Sequence, residues 1–216
     1  MTPILYSFRR CPYAMRARFA LVSSKTNVIL REIKLREKPE QFLDISPSAT
    51  VPCLLTQADV IDESLDIMKW ALAQNDPDGL LDMPDIGWSL IDQTDGPFKQ
   101  ALDRTKYAAR YPDHNPQDQR AIAAAFLTTL DQRIDHWIFG RPSIADFAIL
   151  PFVRQFAFID KAWFDDQPWP DLQIWLNNFI ASDNFEKIMI KYEQWHEGDP
   201  ETLFRNMVDA KCQLRP

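Results

Sequence analysis

The chain has 216 residues, 46% of them hydrophobic and 25% charged, with a formal net charge of −7. That length buries one large core or two small ones, and the composition is that of an ordinary globular protein. No apolar run approaches the ~18 residues that span a bilayer. Overall acidity, with no basic stripe interleaved with aromatics, argues against a nucleic-acid partner. The charge is uneven: residues 1–75 carry 10 Lys and Arg against 8 Asp and Glu, whereas residues 76–216 carry 14 against 23. The three cysteines, Cys11, Cys53 and Cys212, are too few and too scattered for a disulfide scaffold, which points to a reducing, cytoplasmic setting.

The first predicted element is a strand over Ile4-Leu5-Tyr6-Ser7. An amphipathic helix follows, with Met15, Phe19 and Leu21-Val22 at roughly helical spacing and Arg16 and Arg18 on the other face. Cys11-Pro12-Tyr13-Ala14 joins the two. Proline suits the first helical position, because its missing N–H would have no partner there. Cys11 then sits at the helix start, facing unpaired N–H groups and the positive end of the dipole, which favour thiolate over thiol.

A second strand is expected over Val28–Ile33 and a short helix or turn over Lys38–Leu43. A hairpin from Val51-Pro52-Cys53-Leu54-Leu55 to Val60-Ile61 comes next, then a helix from about Glu63 to Ala73. Pro52 interrupts an otherwise internal strand, and the natural resolution is a strand end with a cis Val51–Pro52 peptide. Cys53, beside it, reads as a small buried hydrophobe. Glu63-Ser64 opens the third helix, where backbone N–H groups and a hydroxyl suit a carboxylate and Glu63 suits an ammonium. Residues 76–86 read as a linker rich in Pro, Gly and Asp.

Everything beyond is expected to be helical, near 87–111, 117–138, 143–159 and 171–192, broken at Pro112, Gly140-Arg141-Pro142 and Pro168-Trp169-Pro170. Ser143 and Asp146 form a capping box. Five scattered glycines make no phosphate-cradling loop, and His114, His136 and His196 are isolated, so neither a nucleotide nor a metal is expected.

Four motifs occur in order: Cys11-Pro12-Tyr13, Lys38-Pro39-Glu40-Gln41-Phe42, Val51-Pro52 and Glu63-Ser64. With this element order they resemble the cytosolic glutathione transferases, in particular their cysteine-type branch of omega-like and glutaredoxin-like enzymes. The resemblance implies an α/β thioredoxin-like N-terminal domain (β-α-β-α-β-β-α, residues 1–75), a linker (76–86) and an all-α C-terminal domain (87–216). It further implies that Cys11 meets the glutathione sulfur with Tyr13 beside it. The Val51 main chain next to Pro52 would pair with the cysteinyl backbone, Glu63 with the γ-glutamyl ammonium, Ser64 with its carboxylate and Lys38 with the glycyl carboxylate. A second substrate, small or a disulfide, would be lined by Phe8, Arg104, Tyr107 and Tyr111. The expected activity is glutathione-dependent thiol transfer by a monothiol route, since Ala14 stands where dithiol relatives carry a second cysteine. Conjugation of glutathione to electrophiles, with Ser7 or Tyr6 as the hydroxyl, is one alternative; a non-catalytic interaction protein is the other. Either a monomer or a homodimer is compatible with the pattern.

Overall fold

A computed structural model describes residues 1–204, so Cys212 lies outside the described residues. The chain divides into two compact units, one of Met1–Asp78 together with the segment from Ser182 onward, the other of Gly79–Ala181. In the first unit the order is β1 (Ile4–Ser7), α1 (Pro12–Ser23), β2 (Val28–Glu32), α2 (Glu40–Ile45), β3 (Cys53–Leu55), β4 (Val60–Ile61) and α3 (Ser64–Gln74). This is the expected thioredoxin-like sequence of elements. Parallel pairing of β1 with β2 and antiparallel pairing of β1 with β3 puts β1 in the middle of the sheet. Accordingly Leu5, Tyr6 and Ser7 are fully buried.

Two features of this unit differ from the expectation. The described residues after 181 group with the first unit and not with the helical one. There, α10 (Asp183–Ile188) packs on α1, and β5 (Leu203–Phe204) pairs antiparallel with β2, giving the order β4-β3-β1-β2-β5. The compact helical unit, Gly79–Ala181, is thus shorter than the 87–216 span expected for the helical domain. Second, α1 is not amphipathic. It lies between α3 and α10, and Arg16 and Arg18 are as buried as its apolar residues. Arg18 is held by a full set of partners: Ser7 Oγ accepts from its Nε at 2.9 Å, the Ile188 carbonyl from Nη1 at 3.0 Å, and the Glu32 carboxylate from Nη2. Burial pulls the Arg18 pKa down, and Glu32 opposes the shift. A buried charge is tolerable only when it is paired and hydrogen-bonded in this way.

The second unit is helical: α4 (Ile86–Gln93), a π-helical turn (Thr94–Phe98), α5 (Lys99–Lys106), a 3-10 turn (Ala108–Arg110), α6 (Pro116–Asp131), α7 (Ile144–Ala157), α8 (Lys161–Asp165) and α9 (Pro170–Ile180). The single helix expected over 87–111 is thus broken. Pro97 has no N–H to give the ladder, and the π turn absorbs the loss. Residues 79–85 are also more than a linker, since the Leu80 carbonyl accepts from Ile144 N at 2.8 Å and Leu80 is buried. No helix among the described residues is long and apolar enough to cross a membrane.

Candidate active site

The site is built from three loops of the first unit. At the start of α1, Cys11 is the N-cap, with extended backbone (φ −78°, ψ 124°), and Pro12 occupies the first turn. Its amide donates to the Phe8 carbonyl at 2.9 Å, closing the turn Phe8-Arg9-Arg10-Cys11. The sulfur makes no capping hydrogen bond, and instead the thiol donates to the Val51 carbonyl at 3.7 Å. Cys11 is half-buried, so its thiol is reachable while its neighbours Pro12 and Ala14 are covered.

The second loop carries Val51–Pro52, whose peptide is cis as expected. It is braced by short-range polar contacts. Ala49 takes a left-handed φ of 52°, Thr50 N donates to Ser48 Oγ at 3.2 Å, and the Ser48 and Thr50 hydroxyls lie 2.7 Å apart. Asp62 ties this loop to the third one by accepting from Ser48 N at 3.1 Å. In that third loop Glu63 is the exposed N-cap of α3 and makes no side-chain capping bond. Ser64 is buried, and its Oγ accepts from Arg16 Nη1 at 3.4 Å. The guanidinium takes one of the hydroxyl's two lone pairs, and the O–H can act as a donor.

Tyr13, Val51, Pro52, Glu63 and Ser64 line one cleft of about 310 Å³. Thr50 and Asp62, which sequence reasoning missed, complete it. Arg16 was missed as well. Its guanidinium lies 5.6 Å from the Tyr13 ring centroid and reaches Ser64, putting a buried cation behind the cleft. Its place four residues after Pro12 was the one signal available, and a charged residue on a helix reads first as a solvated one. Lys38 is exposed just before α2 and does not line the cleft.

The remaining expected residues are more scattered. Phe8 is half-buried and packs on the core around Tyr6, Phe42 and Trp195. Arg104 lies on α5 and donates to Gln119 Oε1 at 3.5 Å. Tyr107 and Tyr111 flank the 3-10 turn rather than extending the helix. The Arg110 guanidinium stands 4.8 Å from the centroid of the Tyr107 ring. Cys53 is fully buried, and burial pushes its thiol up to about 11. Ser7 and Tyr6 are both fully buried and committed, Ser7 to Arg18 and Tyr6 to Arg31, and burial pushes the Tyr6 phenol up.

The model of the N-terminal domain of glutathione S-transferase matches residues 5–79, and that of the C-terminal domain matches residues 99–178. A curated protein described as a probable glutathione transferase from Aplysia californica is 37% identical over 57 residues, which are 26% of this chain and 62% of that protein. Among solved structures, glutathione transferase Omega 3C from Trametes versicolor superposes with a TM-score of 0.74 at 17% identity, covering 91% of this chain and 87% of that one. A glutathione transferase family member from Pseudomonas fluorescens, solved with two glutathione molecules bound, gives 0.73 at 20% identity, covering 87% and 92%. At such identities the structural likeness establishes the fold. Taken with the two domain models that together match most of its length, it shows that the chain belongs to the glutathione transferase family.

Proposed function

We propose that this protein is a glutathione-dependent thiol transferase with Cys11 as the nucleophile. The observation that carries the reading is the half-buried Cys11 sulfur at the start of α1, 3.7 Å from the carbonyl of Val51, a residue of the cleft that also holds Glu63 and Ser64. Glutathione is an anionic peptide with one ammonium. In this reading its γ-glutamyl carboxylate takes the Ser64 hydroxyl, with Arg16 behind it, and its ammonium takes Glu63. The Val51 main chain pairs with the cysteinyl amide, Tyr13 and Pro52 wall the sulfur, and Lys38 screens the glycyl carboxylate.

The Cys11 thiolate attacks the glutathionyl sulfur of a mixed disulfide. A bond forms between Cys11 and the glutathione sulfur, and the other thiol leaves as a thiolate and takes a proton from water. A second glutathione, as thiolate, then attacks that new disulfide. Oxidised glutathione departs and Cys11 is again a thiolate. Ala14 offers no resolving thiol at that position, so the resolving sulfur is glutathione's own. Conjugation through Ser7 or Tyr6 is disfavoured, because both hydroxyls are buried and held by arginines.

Incubation with oxidised glutathione followed by intact mass and peptide mapping tests this directly. A single glutathione adduct on Cys11 is expected, with reduction of bis(2-hydroxyethyl) disulfide by glutathione. Wild-type conjugation of a chloronitrobenzene with no adduct and no reductase activity overturns the reading. The Cys11→Ser variant is expected to lose reduction and to gain conjugation, since a hydroxyl stabilises a glutathione thiolate without capturing it.

A further inference from the structure

A second cleft, of about 430 Å³, is lined by Phe8, Arg9 and Arg10 of the turn that leads into Cys11, together with residues 32–34, 191–194 and 196. Its apolar floor is Phe8, Ile33 and the Tyr192 ring. Four cations surround that floor: Arg9, Arg10, Lys34 and Lys191. Two carboxylates face them, and one is already committed. Glu32 accepts from the buried Arg18 and, through Oε1, from Arg9 N at 2.6 Å. That leaves Glu193 as the opposing charge. His196 at the rim contacts Asp199.

The cations are also arranged. The Arg9 guanidinium is anchored by Nη1 to the Met189 carbonyl at 3.2 Å, leaving its other N–H groups for a ligand. The Arg10 guanidinium stands over the Phe8 ring, 5.3 Å from the centroid. Lys34 has only an exposed 3.5 Å contact with Glu37, and Lys191 has no ion pair among the described residues. An excess of positive charge in a chain of net charge −7 is a local feature that attracts anions selectively.

We propose that this cleft is a binding site for an anionic molecule with an apolar body, recognised through a carboxylate. Because Phe8, Arg9 and Arg10 of its lining lead directly into Cys11, its occupant is assigned as the departing half of the disulfide substrate, and the substrate class as a mixed disulfide of glutathione with an apolar thiol that carries a carboxylate. The connection to Cys11 is covalent and short: Phe8, on the cleft floor, gives its carbonyl to Cys11 N, and Arg9 and Arg10 are the residues between them. The cleft volume lies within the range of sites that enclose a small organic ligand. The assignment of the ligand as a substrate rests on the thiol-transfer reading; the binding of the anion does not.

The test has two arms that fail independently. Calorimetry compares 2-naphthoate with its uncharged counterpart 2-naphthamide, using wild type and the Arg10→Glu/Lys191→Glu double variant. Both residues are exposed, so folding is not at stake, and Lys191→Gln gives a milder step. The expected result is naphthoate binding at least tenfold tighter than naphthamide, a preference weakened by salt and erased by the double variant. Equal affinities in wild type, or a preference that survives charge reversal, overturns the site. In the second arm, glutathione reduces its mixed disulfides with 4-mercaptobenzoate and with thiophenol. The double variant is expected to raise KM for the charged substrate at least fivefold relative to the uncharged one, with the ratio of their kcat values unchanged. An unchanged KM ratio overturns the substrate assignment. Absence of any reductase activity removes the thiol-transfer reading and the substrate assignment with it, while leaving the naphthoate result to stand on its own.

Discussion

The starts of α1 and α7 use the same local device to different ends. Each opens a helix whose residues are almost all buried, and each puts a polar group at or near the cap. At α7 the polar group is saturated. Asp146 is fully buried, and its Oδ1 accepts from Ile138 N and Trp175 Nε1, both at 3.0 Å, while Oδ2 accepts from Ser143 N at 2.9 Å and Ser143 Oγ at 2.7 Å. At α1 the Cys11 thiol donates a long bond to the carbonyl of Val51, a residue that lines a cleft, and Cys11 stays partly exposed. A buried polar group with every valence filled holds a structure together; a reachable one with a weak bond is available for chemistry.

Substituting at the two caps separates these roles, and the effects are large. Cys11→Ser is expected to cut glutathione-dependent disulfide reduction by roughly a thousandfold or more, since no mixed disulfide can form. Its urea midpoint should hardly move. Asp146→Ala should do the reverse in kind. It strands three buried N–H donors and is expected to cost roughly 3–5 kcal/mol in the helical unit, read from chemical denaturation. Burial pushes the Asp146 carboxyl up while the four donors pull it down. Asp146→Asn should therefore lose less than Asp146→Ala, because it keeps an acceptor for Ile138 and Trp175. A Cys11→Ser protein that melts like Asp146→Ala would erase the contrast.

A narrower comparison is between the two described cysteines. Cys53 is fully buried, with its thiol pushed up to about 11. Iodoacetamide at neutral pH should label Cys11 and leave Cys53 untouched in the native protein. The sign of the linkage follows from the raised value. Below the unfolded thiol pKa of about 8.5 both states hold the proton, and the stabilising contribution is fully present. Between there and about 11 only the folded state keeps it, so stability falls as pH rises, by roughly 3–4 kcal/mol in all. Cys53→Ala should remove that part of the alkaline slope and leave the part due to Tyr6, which is raised by the same cause. An alkaline slope unchanged in Cys53→Ala would contradict the burial account.

Much of this was legible because local rules were sufficient for it. Proline fixes the first turn of α1, a proline inside an apparent strand predicted the cis peptide, and Ser143 with Asp146 marked the start of α7. What escaped depends on partners distant in sequence. Arg18 reads as a surface residue until Glu32 and the Ile188 carbonyl are brought to it across 14 and 170 positions. Strand β5 has only two residues and pairs with β2 from the far end of the chain, so no alternation could reveal it. Within the cleft, Glu63 and Ser64 were singled out by the helix start they occupy. Thr50 and Asp62 carried no such mark, because their place follows from how the Ser48–Thr50 loop is tied to Asp62.

The start of α3 falls between the other two, and it yields the smallest and most discriminating effects. Glu63 is an N-cap by position, yet its carboxylate makes no capping bond and is exposed at the cleft. If it served only as a cap, Glu63→Ala would lower stability and leave glutathione affinity alone. A ligand carboxylate gives the opposite pattern: a stable protein whose glutathione affinity, measured by calorimetry, falls about tenfold, the scale of one charge-assisted hydrogen bond. Lys38→Ala should cost less, a fewfold loss that shrinks as salt is added, because an exposed ammonium acts through screened charge. The salt dependence is what separates the two residues. A Glu63 effect that vanishes in salt as readily as the Lys38 effect would mean that neither side chain touches the ligand closely, and that recognition rests on Ser64, Arg16 and the Val51 main chain.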